Sequence, residues 1–308
     1  MPRRALLFLV TALGLLGSLS ACGQARASVG HVYGATGENA DLHHLTAKVP
    51  GTVIELTYGG FLAKARVGDS ASSTPAVDAP SGGAILPFTL DAGPDSAAPL
   101  PVSRAATGRV HWTAAIRSAG HDTPIDVTGS APKAVALAAT GGAQLVVTFD
   151  GLSQVFDLPS GRRAPGGADP LYGSTPTRHE HCPKSPASSR GLLVFTDCSL
   201  TSTTVPWLGR WASAGREFVL LDVTVHRPEV ERRGISYGTV SSTATVSVDG
   251  RSSQRVPVAK LDRWVVAEVP AASRHQAELT FRIRASHPID PTAPPRASVT
   301  VTRVIPLG

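Results

Sequence analysis

The sequence predicts an all-β protein made of two tandem immunoglobulin-like β-sandwich domains that follow a signal peptide and a short tether. Three observations carry this. Gly and Pro punctuate the chain, 30 and 25 copies in 308 residues, which leaves room mainly for short elements. No long window shows the 3.6-residue period of an amphipathic helix. Several segments alternate apolar and polar residues with a period of two, which puts one strand face on a core.

The first 22 residues stand outside that fold. Arg3 and Arg4 make a short positive region, and an apolar run follows over residues 5–16. A bilayer span needs about 20 apolar residues, so this run has the length of a secretory core instead. It leads into Leu19-Ser20-Ala21-Cys22. This order of parts resembles the lipobox of bacterial lipoproteins. The resemblance implies that residues 1–21 are removed, that the Cys22 thiol carries a diacylglyceryl group, and that the protein is anchored to the outer face of the cell membrane. Residues 22–45 are small and polar at first and read as a tether.

The first domain is expected over residues 46–160. Strand patterns lie at 52–58, 61–67, 84–90, 110–116, 133–138, 144–150 and 153–158. In the strongest, Leu145, Val147 and Phe149 share one face. Asp150-Gly151 then turns the chain back. Residues 161–190 are rich in Pro, Gly and Ser without apolar period, which reads as an interdomain linker. The second domain follows over 191–308. Its clearest strand is 217–225, with Val219, Leu221, Val223 and Val225 on one face and Phe218, Leu220, Asp222 and Thr224 on the other. The acid predicts that this second face meets solvent there. Further strands are expected at 242–248, 264–269, 277–284 and 297–305, with an Asp249-Gly250 type I′ turn after the first.

The two halves read as repeats of one sandwich type. Glycine leads a strand at Gly51 and again at Gly191. Gly83 to His111 spans 28 positions, as does Arg216 to Ala244. Each half then carries a strong alternating strand, Leu145-Val-Val-Thr-Phe149 and Leu279-Thr-Phe-Arg-Ile283. The run Gly215-Arg-Glu-Phe-Val-Leu-Leu-Asp-Val-Thr-Val225, and the strand–turn–strand of 144–162, resemble the telokin-like immunoglobulin-fold domains of secreted bacterial proteins. That resemblance implies a sandwich fold and an adhesive or binding role, and it transfers no functional residue.

Charge is divided unevenly. Residues 22–170 carry 10 Lys and Arg against 12 Asp and Glu; residues 171–308 carry 17 against 11. A basic half on an exported protein suits an anionic partner, although the charges are scattered rather than blocked. With Cys22 assigned to lipid, Cys182 and Cys198 remain, and an even remainder in an oxidising compartment reads as one disulfide.

Candidate chemistry is sparse. His179-Glu180-His181-Cys182 has His-x-His spacing suited to Zn or Cu, but lacks a matching second ligand pair. Trp207, Arg210 and Trp211 could form an aromatic platform for a sugar or peptide, or could cover a core edge. His-Glu-x-x-His does not occur. The reading is therefore a lipid-anchored envelope protein that binds or scaffolds, without a cofactor. Its partners would be the membrane through its lipid, and an envelope protein or an anionic wall polymer, not nucleic acid. The alternatives are an envelope enzyme with a loop-borne active site, and a metal-binding lipoprotein using His179 and His181.

Overall fold

The computed structural model describes residues 25–35, 41–68, 76–129, 131–173, 177–256, 264–271, 274–292 and 294–307. The signal segment and Cys22 lie outside these residues. Among them the chain is all-β, with several antiparallel sheets and one short α-helix.

Two five-stranded sheets face each other in the first half. One runs in the order β1 (Val32–Gly34), β9 (Lys133–Leu137), β6 (Ala84–Pro94), β3 (Thr52–Tyr58), β2 (His43–Val49). The other runs β12 (Arg162–Arg163), β11 (Leu152–Asp157), β10 (Gln144–Phe149), β7 (Trp112–Ser118), β8 (His121–Ile125). The predicted inward residues Leu145, Val147 and Phe149 are buried between them with Leu56, Phe88 and Ile116. A hairpin of β4 (Lys64–Arg66) and β5 (Ala76–Asp78) covers the other face of the first sheet. There Val67 and Val77 pack with Ile85, Ala134 and Ala136. This double cover explains why Ala84, Ile85, Leu86, Pro87 and Phe88 are buried in succession: a strand buried on both faces needs no alternation. Helix α1 (Leu100–Ala106) closes one end, with Val102 and Ala106 in the core. Its seven residues are too few to show a helical period, so the sequence gives no sign of it. It lies against Gly51, where a Cβ would stand 2.9 Å from that of Ala106, so only glycine fits without displacement.

The second half repeats the plan. One sheet is β13 (Arg178–His181), β16 (Cys198–Val205), β17 (Arg216–Val225), β21 (Trp264–Pro270). The other is β14 (Ala187–Ser189), β15 (Leu192–Phe195), β18 (Glu229–Arg232), β19 (Ile235–Val248), β22 (Gln276–Pro288), β23 (Arg296–Pro306), with β20 (Arg251–Val256) also on β19. Leu279, Phe281 and Ile283 point into the core between the sheets, as expected.

Strand pairings map one half onto the other. In the first, β3 pairs β2 and β6, β6 pairs β9, β7 pairs β8 and β10, and β10 pairs β11. In the second, β16 pairs β13 and β17, β17 pairs β21, β19 pairs β20 and β22, and β22 pairs β23. The 28-residue spacing runs between equivalent strands, β6 to β7 and β17 to β19, but its end points do not correspond: His111 precedes β7, whereas Ala244 lies inside β19, where its hairpin counterpart is Ala114. Gly191 is a false anchor: it leads into β15, whereas the equivalent of β3 is β16.

Two expected connectors are structured. The tether over 22–45 includes β1, which pairs with β9, and the start of β2. Arg26 already bridges to Asp78, and the Ala27 N–H donates to the Asp78 carbonyl at 2.8 Å. The linker over 161–190 divides between the halves. Its start forms β12 on β11, and Tyr172 ties the next stretch to the first half. The Tyr172 hydroxyl donates to Gln154 and accepts the Lys48 N–H at 3.0 Å, while Arg163 lies 4.1 Å over its ring. The later part, β13 and β14, joins both sheets of the second half. These short edge strands are polar, so they carry no alternation to read.

Candidate functional site

Cys182 and Cys198 form the expected disulfide, with Cα atoms 5.1 Å apart. The bond ties the end of β13 to the start of β16 and faces the second core. Arg303 on β23 secures the loop that this bond closes. Its guanidinium is buried and donates to the Thr196 hydroxyl at 2.9 Å and the Ser185 carbonyl at 2.7 Å. Burial lowers its pKa, but an arginine stays charged. Sequence reading missed this residue because a cation at an inward strand position violates the alternation rule.

His179 and His181 sit on β13, two residues apart and exposed, so they share a strand face. The His179 Nδ1 lies 2.9 Å from the Thr201 hydroxyl. The Cys182 sulfur is committed to the disulfide. Among the described residues no group of three His, Cys, Asp or Glu side chains is placed to hold a metal ion.

Trp207, Arg210 and Trp211 form the joint between the two halves. The loop 206–212 folds tightly, with the Leu208 N–H on the Arg210 carbonyl and the Ala212 N–H on the Pro206 carbonyl, both 2.9 Å. This pushes Trp207, 4% exposed, against Phe149 of the first half at 5.9 Å between ring centres; Trp211 lies 6.1 Å from the same ring. Phe218 and Leu220 of β17 join the same cluster, beside Val205 of β16. The second face of β17, expected to meet solvent at Asp222, is thus an interface at its other end, and Asp222 itself is half-buried. Each buried aromatic side chain removes roughly 150–250 Å² from water, about 4–6 kcal/mol at 25 cal/mol/Å². Arg210 pairs with Glu268 and lies 5.1 Å over the Phe218 ring. That hydrogen bond, with the Ser213 N–H, holds the Glu268 carboxyl down at about 2. Trp207 is therefore taken up in packing and offers no open platform.

A cleft beside the joint is lined by Lys48, Gly51, Asp95, Pro170, Val205 and Trp207. Its volume, about 120 Å³, is well below that of usual small-molecule pockets, roughly 300–1,000 Å³.

One buried titratable cluster lies in the second sandwich where β17 begins. His275 is 4% exposed and bonded at both ring nitrogens, Nδ1 to Asp249 at 2.7 Å and Nε2 to Glu217 at 2.9 Å. Burial, the largest single influence, lowers its pKa, but the bonds to Asp249 and Glu217 outweigh it and the net shift is upward. With both nitrogens engaged, the ring serves as a clamp between β17, the β19–β20 turn and β22.

The outward face of β19, β22 and β23 is polar. Register sets Ser241, Arg284 and Ser298 in one row across the sheet and Thr243, Arg282 and Thr300 in the next; Arg296 stands opposite Ser286. Arg282, Arg284 and Arg296 are exposed, and none has an ion-pair partner among the described residues. Two adjoining shallow basins, about 510 and 410 Å³, share Ser241, Arg284 and Ser298. The alternation of β22 already puts both its arginines outward; the sequence lacks the register that adds Arg296 and the hydroxyls. Comparison of the chain with protein-family models, with curated proteins and with solved structures finds no match in any of the three.

Proposed function

We propose that this chain is a lipid-anchored protein of the cell envelope that works by presenting a binding surface. Two kinds of feature support the location. The start resembles a lipobox ending in Cys22, and the second half holds a disulfide, a bond that persists in oxidising compartments. The observation that carries the binding role is the open sheet face of the second half, where exposed cations and hydroxyls line two basins. The joint built on Trp207 supports it further, because it fixes that face relative to the anchored end. The buried titratable cluster around His275 uses its groups on one another.

The anchor has a direct test. Cys22→Ala should move the protein from the membrane fraction to the soluble exported fraction, and mass spectrometry of the parent N-terminal peptide should show the added acyl mass. Unchanged fractionation, with an unmodified peptide, would end this reading.

A further inference from the structure

We propose that the outward face of β19, β22 and β23 binds a linear polymer of repeating phosphates that carries no bases. This names the partner of the surface proposed above and rests on that reading for its setting, though not for its chemistry. Arg282 and Arg284 are two residues apart on one strand, so their side chains leave the same face about 7 Å apart. Arg296 extends the line by one more step, opposite Ser286 on the adjoining strand. Three guanidinium groups in file suit a chain with anions at intervals, and each can hold a phosphate through two parallel N–H bonds. Ser241, Thr243, Ser298 and Thr300 flank the file on both neighbouring strands and add hydroxyl donors for the remaining oxygens. The first acid on this face is Glu278, two rows beyond Arg282.

The same rows exclude other occupants. No aromatic ring stands in them, so nucleobases find nothing to stack on. No large apolar side chain projects between the arginines, so the face has nothing to insert below lipid headgroups. Arginines of this fold do take acids when one is near: Arg117, on the equivalent sheet of the first half, binds Asp122 at 2.6 and 2.8 Å. The face of the second half has the cations without the acids.

The test uses the full chain with Cys22→Ala, so that no acyl group contributes, and long-chain inorganic polyphosphate as the probe. Binding should weaken at least tenfold in Arg282→Thr/Arg284→Thr/Arg296→Thr, with circular dichroism and melting temperature kept. It should be retained in a control that removes three exposed arginines elsewhere on the same half, Arg190→Ser/Arg227→Ser/Arg233→Ser. The logarithm of affinity should fall against that of salt with a slope of about −2, as for three phosphates on a single strand. Equal losses in both triple variants would reduce the effect to net charge and overturn the site. Preference for poly-glutamate, or for vesicles of anionic lipid, over polyphosphate would overturn the partner. Because the chain is unanchored throughout, these results stand apart from the fate of the anchor.

Discussion

In the first half, the outward arginine of β7, Arg117, is bound by Asp122 from the neighbouring strand β8. In the second half, the equivalent sheet turns Arg282 and Arg284 outward toward hydroxyls alone. The other sheet differs as well. That of the first half is covered by its own hairpin, with Ile85 and Ala136 beneath it, whereas β17 of the second half is covered by the first half itself at Phe218 and Leu220. One connectivity therefore supports two roles. The inward parity of each strand builds the same sandwich, and the outward parity decides whether a face is closed on itself, closed on its neighbour or left open.

The comparison breaks first at the joint. Trp207→Ala should cost about 3–5 kcal/mol, the usual loss for a large buried ring. Urea unfolding should then resolve into two transitions as the halves come apart; a loss under about 1 kcal/mol with one transition kept would mean that the ring adds nothing to their union. Removal of the disulfide through Cys182→Ser/Cys198→Ser should cost about 3 kcal/mol by the chain-entropy model. Hydrogen exchange should quicken in β13, β16 and β23 and stay unchanged in β6 and β10. Equal quickening in both halves would show that the staple does not act locally.

The smallest effect separates the halves by pH. His275 has its pKa raised in the folded protein, so its protonated form adds stability that is full below the unfolded value, about 6.5, and is lost as pH rises through the folded one. His275→Gln should cost about 1 kcal/mol near pH 5.5, since the two carboxylates are partly exposed and can rehydrate. The difference from the parent should shrink toward pH 8.5. A pH-independent difference would mean that the clamp holds by shape and not by charge.

Much of this architecture is legible in the residues. Alternation at Leu145 to Phe149 and Leu279 to Ile283 fixes which side faces each core, and the order of strands and turns exposes the repeat. The hidden remainder has physical reasons. The strands β12, β13 and β14 are short, polar edges held in place by their neighbours, and β1, only Val-Tyr-Gly, is too short to show a period. Phe218 and Leu220 share a parity with Asp222, and parity alone cannot show that a face is divided along its length. Arg303 is inward, held by a hydroxyl and a carbonyl that come from more than 100 residues away. The disulfide is readable from cysteine parity, but the arginine that secures its loop is not.

The early bridge of Arg26 to Asp78 bears on how far the protein can reach. With Cys22 acylated as proposed, three peptide steps separate the lipid from the first bonded residue, Ala25, whose carbonyl accepts the Asp78 N–H at 3.1 Å, at most about 11 Å of chain. A leash of that length gives almost no search volume. The molecule would stand on the membrane as a short post instead of ranging from it as a float. Its partner would have to come to it, and the height at which the arginine file meets that partner would be set by the stacking of two sandwiches.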